Sequence, residues 1–413
     1  MHQRIPSLSL AIAITLTLLV SAESSARKSA RKSSTRKSWP TLSTRKTISL
    51  AQRLESPTFS AARPLRVMDR GHMLYLGKGF GRDHQTFYLL RLKDLQKLKI
   101  TAPFHAYVKA NPAMKQDPND TRPLHQQFHV EKLLYYDSDN QQAGFQVADH
   151  LGKQKVRRHF FVPWDLKKCH VTEPTLVARS KVGVSYSHSL PLGYDPRLRE
   201  FFYVRQVIAR DSQQRTVFVI GFSRKKPRIV AQFKAKRSMG ERTYFDARRG
   251  RALLVEYAEL ASPKPAPRGH LVTLATGKVM SFAIPLTTYG VAFDDDGRRL
   301  YTYSSQLGKL WTLDTTSGAR LAQLSIGKLG HAIGMLGAKR LVLLRNSGLR
   351  LLSSDQGRLS KGPFIKTSRF FRGFSHVGGS LVVGPTILLK NDDDLHVLIA
   401  KGTSTKAKRK HSR

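Results

Sequence analysis

Apolar residues along this chain come in short runs cut by Gly- and Asp-rich turns, and no stretch of any length repeats them at helical spacing. The clearest case is 289–327, YGVAFDDDGRRLYTYSSQLGKLWTLDTTSGARLAQLSIG. Gly290-Val291-Ala292-Phe293 makes a small, apolar strand, and Asp294-Asp295-Asp296-Gly297 supplies the turn chemistry that ends it. Arg299 to Tyr303 reads as a second strand, Leu310 to Asp314 as a third and Arg320 to Ile326 as a fourth, with breaks at Gly308 and at Ser317-Gly318.

Weaker copies of this unit lie on both sides. The apolar residue opening each second strand is placed at Leu74, Leu133, Phe201, Ala252, Leu300, Leu341 and Leu381, at intervals of 59, 68, 51, 48, 41 and 40 residues. Strand-only units repeated at about 40 to 50 residues signal a ring of blades. The repeats at 331–364 and 242–286 match best, 192–236 less well, 63–103 and 125–162 weakly, and 370–402 lacks an obvious last strand.

The run LWTLDTTSGARLAQL resembles the third and fourth strands of a blade in WD40-like and YVTN-type β-propeller repeats, and the resemblance extends over 63–402. Trp311 and Asp314 are not adjacent, and the Gly-His and Trp-Asp signatures of true WD40 blades are missing from most repeats. The resemblance implies an all-β, seven-bladed β-propeller over 61–402. It constrains function little, because one fold carries many unrelated activities.

Charge changes the picture. The chain has 71 Lys and Arg against 28 Asp and Glu, a net +43. The excess is not confined to the ends, since residues 54–400 keep 55 basic and 27 acidic residues. A basic body predicts an anionic partner or a surface kept soluble by charge.

Residues 1–22 begin polar with Arg4, run apolar from Leu8 to Val20 and end Val20-Ser21-Ala22, the pattern of a cleaved secretory signal peptide. The mature protein is thereby expected to be exported, periplasmic or extracellular, with no transmembrane segment. Residues 23–60 and 403–413 are low in apolar residues and rich in Lys, Arg and Ser, which predicts disordered basic tails. In the first of them, Arg27, Lys28, Arg31, Lys32, Arg36 and Lys37 fall in repeated Arg-Lys-Ser trios whose wording resembles histone tails. Behind a signal peptide they form an arm for a polyanion: lipopolysaccharide, an anionic glycan, phospholipid head groups or extracellular nucleic acid.

Three insertions read as loops: 103–125, 163–187 with Trp164, Cys169 and His170, and 262–269 with three prolines. The first two are the expected recognition loops. Pairs such as Tyr135-Tyr136, Phe160-Phe161, Phe201-Phe202 and Phe370-Phe371 sit within strands, so each sends one ring to either side of its sheet. A single cysteine, Cys169, excludes an intrachain disulfide framework.

Motifs for known chemistries are missing: no phosphate loop, no H-E-x-x-H, no Cys-x-x-Cys and no G-x-S-x-G. The triplets Asp294–Asp296 and Asp392–Asp394 read as turns rather than calcium loops, whose ligands alternate along the chain. The sequence therefore assigns no catalytic residue, cofactor or metal. What remains is geometric. Residues opening the innermost strand of each blade converge at one mouth of the channel, here Arg66, His129, His188, Arg242, Tyr289, His331 and Arg372, a basic and imidazole-rich funnel for an anion. The expected function is that of a non-enzymatic binding or scaffold protein of the bacterial envelope, engaging a polyanion or another envelope protein. The alternatives are a propeller-type hydrolase, lactonase or lyase acting at the channel mouth, and a nucleic-acid binder acting through its tails.

Overall fold

The structure, a computed structural model, describes residues 40–49 and most of 66–401; the connectors 50–65, 104–127, 182–188, 209–214, 258–265 and 367–378, several shorter stretches and both termini lie outside the described residues. The signal peptide, Arg27 to Lys37, Cys169, Phe370-Phe371 and the tail 403–413 therefore also lie outside them.

Every described element is a strand, a bridge or a turn. Strand β1 (Thr41–Ser49) comes first in the chain. Blade one follows with β2 (Arg66–Met68), β3 (Met73–Phe80), β4 (His84–Arg91) and β5 (Gln96–Pro103). Blade two holds β6 (Phe128–Asp137), β7 (Gln142–Leu151), β8 (Val156–Asp165), the two-residue β9 (His170–Val171) and β10 (Thr175–Lys181). Blade three is β11 (Ser189–Asp195), β12 (Glu200–Ile208), β13 (Arg215–Phe222) and β14 (Pro227–Ala235). Blade four is β15 (Met239–Asp246), β16 (Arg251–Glu256), β17 (Arg268–Thr273) and β18 (Val279–Ala283). Blade five is β19 (Thr288–Phe293), β20 (Arg299–Ser304), β21 (Lys309–Asp314) and β22 (Arg320–Ser325). Blade six is β23 (Gly330–Met335), β24 (Arg340–Arg345), β25 (Gly348–Asp355) and β26 (Arg358–Lys366). Blade seven has β27 (Gly379–Val383), β28 (Thr386–Lys390) and β29 (Asp394–Lys401), with β1 as its fourth strand. Each sheet is antiparallel, and apart from β1 in blade seven and the short β9 in blade two the strands follow one another as a meander. The fold is thus a seven-bladed β-propeller.

Middle strands are covered on both faces by neighbouring blades, and their sequences show it: Leu341-Val342-Leu343-Leu344 of β24 is an unbroken apolar run, fully buried. The core is divided among the junctions. Phe87 and Leu89 of blade one meet Phe145 and Trp164 of blade two, and Phe202 and Val204 of blade three meet Leu254 and Val272 of blade four. The aromatic pairs behave as their alternation requires. Tyr136 and Phe160 face blade one while Tyr135 and Phe161 face blade three, where Phe161 stacks on Phe201 at 5.1 Å between ring centroids. The ring closes where Leu74 and Leu90 of blade one pack on Leu388, Leu395 and Val397 of blade seven.

Strand β1 corrects the sequence reading. Residues 41–49 fall within the stretch assigned to a disordered arm, yet they pair with β29 from Thr41↔Lys401 to Ser49↔Asp394. An outermost strand needs little apolar content, because the ladder rather than the core holds it. It also supplies the last strand that 370–402 lacked. Arg45 is the extra residue at a bulge between Thr44 and Lys46, and its guanidinium donates to the Lys93 carbonyl of blade one at 2.8 Å. The final blade is therefore tied to the first by backbone and side chain together.

Two further readings change. Leu133 and Leu381 lie on first strands (β6 and β27) rather than second ones, because first and second strands there are equally apolar and pattern alone cannot order them. The described residues of the supposed insertion 163–187 are largely sheet: Pro163, Trp164 and Asp165 end β8, His170-Val171 pairs with it, and β10 is the blade's outermost strand. Trp164 is 4% exposed, a core residue and not a loop tip.

Candidate functional site

A ring of four-stranded meanders has two unlike rims. Turns joining first to second and third to fourth strands gather on one rim. Turns joining second to third strands, and the connectors into the next blade, gather on the other. The strand ends that flank the long connectors 50–65, 104–127, 182–188, 209–214, 258–265 and 367–378 all lie on that second rim.

The opposite rim is closed by short turns with a recurring aromatic–Asp dipeptide: Tyr136-Asp137, Tyr194-Asp195, Phe245-Asp246 and Phe293-Asp294. All four carboxylates are buried. Asp195 accepts from the Arg197 guanidinium at 2.8 Å, and Arg197 donates onward to the Arg248 carbonyl of the next blade at 3.1 Å. Asp246 takes Arg249 and Arg251 at 3.1 and 3.2 Å, and Arg251 reaches the Gly297 carbonyl of blade five at 3.0 Å. Asp294 accepts the Arg299 amide, which makes the first acidic triplet a turn as expected. These links staple blades three, four and five along one rim. The dipeptide was visible in the sequence, and its recurrence is the signal that could have found them.

On the long-connector rim the structure places Arg66, His129, Arg242, Tyr289 and His331 at or near the start of β2, β6, β15, β19 and β23. His188 and Arg372 lie outside the described residues, and only the backbone positions of the other five are described. What fixes the starts of β6, β15 and β23 is a set of buried polar side chains the sequence reading missed. Gln85 Oε1 accepts the Val130 amide of blade two at 3.1 Å, and Gln206 Oε1 accepts the Met239 amide of blade four at 2.9 Å. Tyr303 Oη donates to the Gly327 carbonyl at 2.7 Å and accepts from the Gly330 amide at 3.1 Å, holding the connector into blade six. Burial raises the Tyr303 phenol above its ordinary range. Both glutamines leave Nε2 without a hydrogen bond in the chain. At the junctions of blades one and two, three and four, and five and six, a middle strand thus positions the entry to the following blade.

At the junction of blades three and four lies a chain of three polar groups. Ser281 Oγ is 2.8 Å from His270 Nδ1, and His270 Nε2 is 3.4 Å from Glu256 Oε1. The order resembles a hydrolytic triad. Its partners show what it does here. Glu256 accepts the backbone amides of Lys236 at 3.1 Å and Arg268 at 3.0 Å, and the His270 ring is buried beneath Phe233 at 4.6 Å. Burial pushes the Glu256 carboxyl up, but the bonds from His270, Arg268 and Lys236 together outweigh it and hold it below its ordinary value. The carboxylate pins the entry to blade four to the sheet it enters, a positioning role.

Among the described residues no group of three His, Cys, Asp or Glu could hold a metal, and no helix is long and apolar enough to cross a membrane.

No protein-family model matches this chain, and no curated protein matches it. Solved structures do. One, from a crystal structure of a mitotic checkpoint complex, has TM-score 0.51 and 8% identity and covers 89% of this chain and 95% of its own. Another, the crystal structure of RRP9 WD40 repeats, has TM-score 0.44 and 10% identity and covers 88% of this chain and 99% of its own. At such identities the likeness shows the fold alone, which the first of the two supports.

Proposed function

We propose that this protein is an exported, non-enzymatic binding scaffold of the bacterial envelope that holds a partner protein at its long-connector rim. The observation that carries the reading is the inequality of the rims. One is stapled across blades three to five by buried Asp–Arg turns, while on the other the strand ends that flank the long connectors lie beside first-strand starts of blades two, four and six held by buried glutamine, tyrosine and glutamate side chains. Binding surfaces are commonly loops presented by a rigid frame, and this arrangement supplies both. The solved structure of like fold comes from a mitotic checkpoint complex, which agrees with such a role without identifying a partner.

A photo-crosslinking residue at Tyr289 tests this, with one at Asp295 on the opposite rim as control. In intact cells Tyr289 is expected to yield a discrete protein adduct and Asp295 none; equal yields from both positions would reject the rim assignment. Export is tested on the same material: the mature chain should begin at Glu23 and fractionate outside the cytosol, and an intact Met1 terminus in the cytosol would overturn it.

A further inference from the structure

The outermost strands carry a charge pattern that belongs to neither rim. Across β1, β5, β10, β14, β18, β22 and β26 there are twelve Lys and Arg and not one Asp or Glu. Placed at the chain's overall ratio of 71 basic to 28 acidic residues, twelve charges of one sign would arise about once in fifty arrangements. Strand propensity does not explain it. Carboxylates are tolerated in the other strands, as at Glu131 in β6, Asp149 in β7 and Glu200 in β12. Guarding an edge against pairing does not explain it either, since a carboxylate disrupts edge-to-edge association as a lysine does.

Position makes the pattern usable. Middle strands are buried on both faces, whereas β22 and β26 are mostly exposed along their length. Lys46, Lys99, Lys234, Arg320, Lys361 and Lys366 are all exposed, and they come from blades seven, one, three, five and six. The charges therefore recur around five of the seven blades, with blade four's β18 carrying none. Arg228 of β14 is partly neutralised by Glu200 at 2.6 Å.

We propose that this circumference is a docking girdle for a flexible anionic polysaccharide, one whose sulfate or carboxylate groups repeat along the chain. Three observations choose that occupant. The aromatic rings on outermost strands turn inward: Phe282 is buried, Phe233 lies on His270, and Phe364 takes the Arg350 guanidinium at 5.0 Å, which leaves no platform for nucleobases. Duplex DNA, with a persistence length of about 50 nm, resists bending around one ring of this size. A flat lipid surface meets one side of a ring, whereas a flexible chain follows all of it. This site is separate from the connector rim and stands whether or not that rim binds a protein.

The test uses the full chain with heparin fragments of increasing length, single-stranded oligothymidine of matched charge, and phosphatidylglycerol vesicles. Heparin affinity is expected to rise with fragment length and to fall with salt. The triple reversal Lys99→Glu, Lys361→Glu and Lys366→Glu should weaken the longest fragment at least tenfold and reduce the salt slope by about two, at roughly 0.7 per lost contact. A matched reversal at exposed turn residues, Lys93→Glu, Lys168→Glu and Lys278→Glu, changes net charge equally and should move affinity less than twofold. The milder pair Lys361→Gln and Lys366→Gln should cost several-fold, and melting curves check that each variant folds. Equal losses in the two triples would reduce the effect to net charge and overturn the girdle. So would absence of heparin binding, or tighter binding to the oligothymidine or the vesicles.

Discussion

Gly297 has φ +66, and a Cβ there would lie 2.2 Å from Arg249 Nε and 2.5 Å from Arg251 Nη2, the two cations that serve Asp246 in the preceding blade. Alanine at this position meets both backbone strain and displaced charge-assisted bonds, and should cost about 2 to 4 kcal/mol. Gly384 separates the two effects, because its φ is +54 and nothing lies near its Cβ. Gly384→Ala should cost about 1 kcal/mol of strain alone. Denaturant midpoints measure both, and equal losses would mean that the Arg–Asp staple contributes nothing. Glu256 makes a second residue-scale prediction. Its folded carboxyl lies below the ordinary 4.5, so its stabilisation is present above that value and is lost as pH falls through the lowered one. The difference in melting temperature between wild type and Glu256→Gln should be widest above about pH 5 and should close below it. A gap of constant width from pH 7 to pH 3 would refute the charged form as the stabiliser. At this scale the sequence showed the turns but not the partners. Asp294 stands in a plain turn motif, whereas Glu256 and Gln206 look like any polar residues late in a strand until the amides at the entry to blade four arrive.

Elements were legible to the extent that both of their faces are buried. Strands β20 and β24 read directly as apolar runs ended by turns, and their boundaries follow Asp294-Gly297 and the charged flanks Arg340 and Arg345. Strand β1 failed that test, because Thr-Leu-Ser-Thr-Arg-Lys-Thr-Ile-Ser holds only Leu42 and Ile48 as apolar residues. Its order comes from β29, which is more than three hundred residues away, and no local pattern reports such a partner. A chain beginning at residue 50 should therefore lose several kcal/mol, at about 1 kcal/mol for each ladder hydrogen bond given up. The peptide 41–49 added in trans should restore part of the lost melting temperature, and the same peptide with Leu42→Pro should not, since proline removes a ladder donor. Failure of the wild-type peptide at millimolar concentration, with the truncated chain melting as the full one does, would mean that β1 contributes nothing to blade seven.

For the molecule as a whole, the ring follows from the count of seven units, but the way it closes does not follow from their sequences. Leu74 and Leu388 sit in unremarkable apolar runs at opposite ends of the chain, and only the closed circle brings them together. Closure makes each blade a neighbour of two others, so loss of one junction should be felt by all. Leu388 is fully buried at the closing junction, and Leu388→Ala should cost about 2 to 5 kcal/mol. Tryptophan fluorescence reads the consequence at two distances, because Trp164 lies in blade two and Trp311 in blade five. In variants keeping one of these tryptophans and lacking Trp39, both signals should shift by the same amount in denaturant, as one cooperative unit requires. If the Trp164 signal moved while the Trp311 signal stayed in place, the blades would be unfolding as a linear array, and β1 would be a decoration on the last sheet rather than the clasp of a ring.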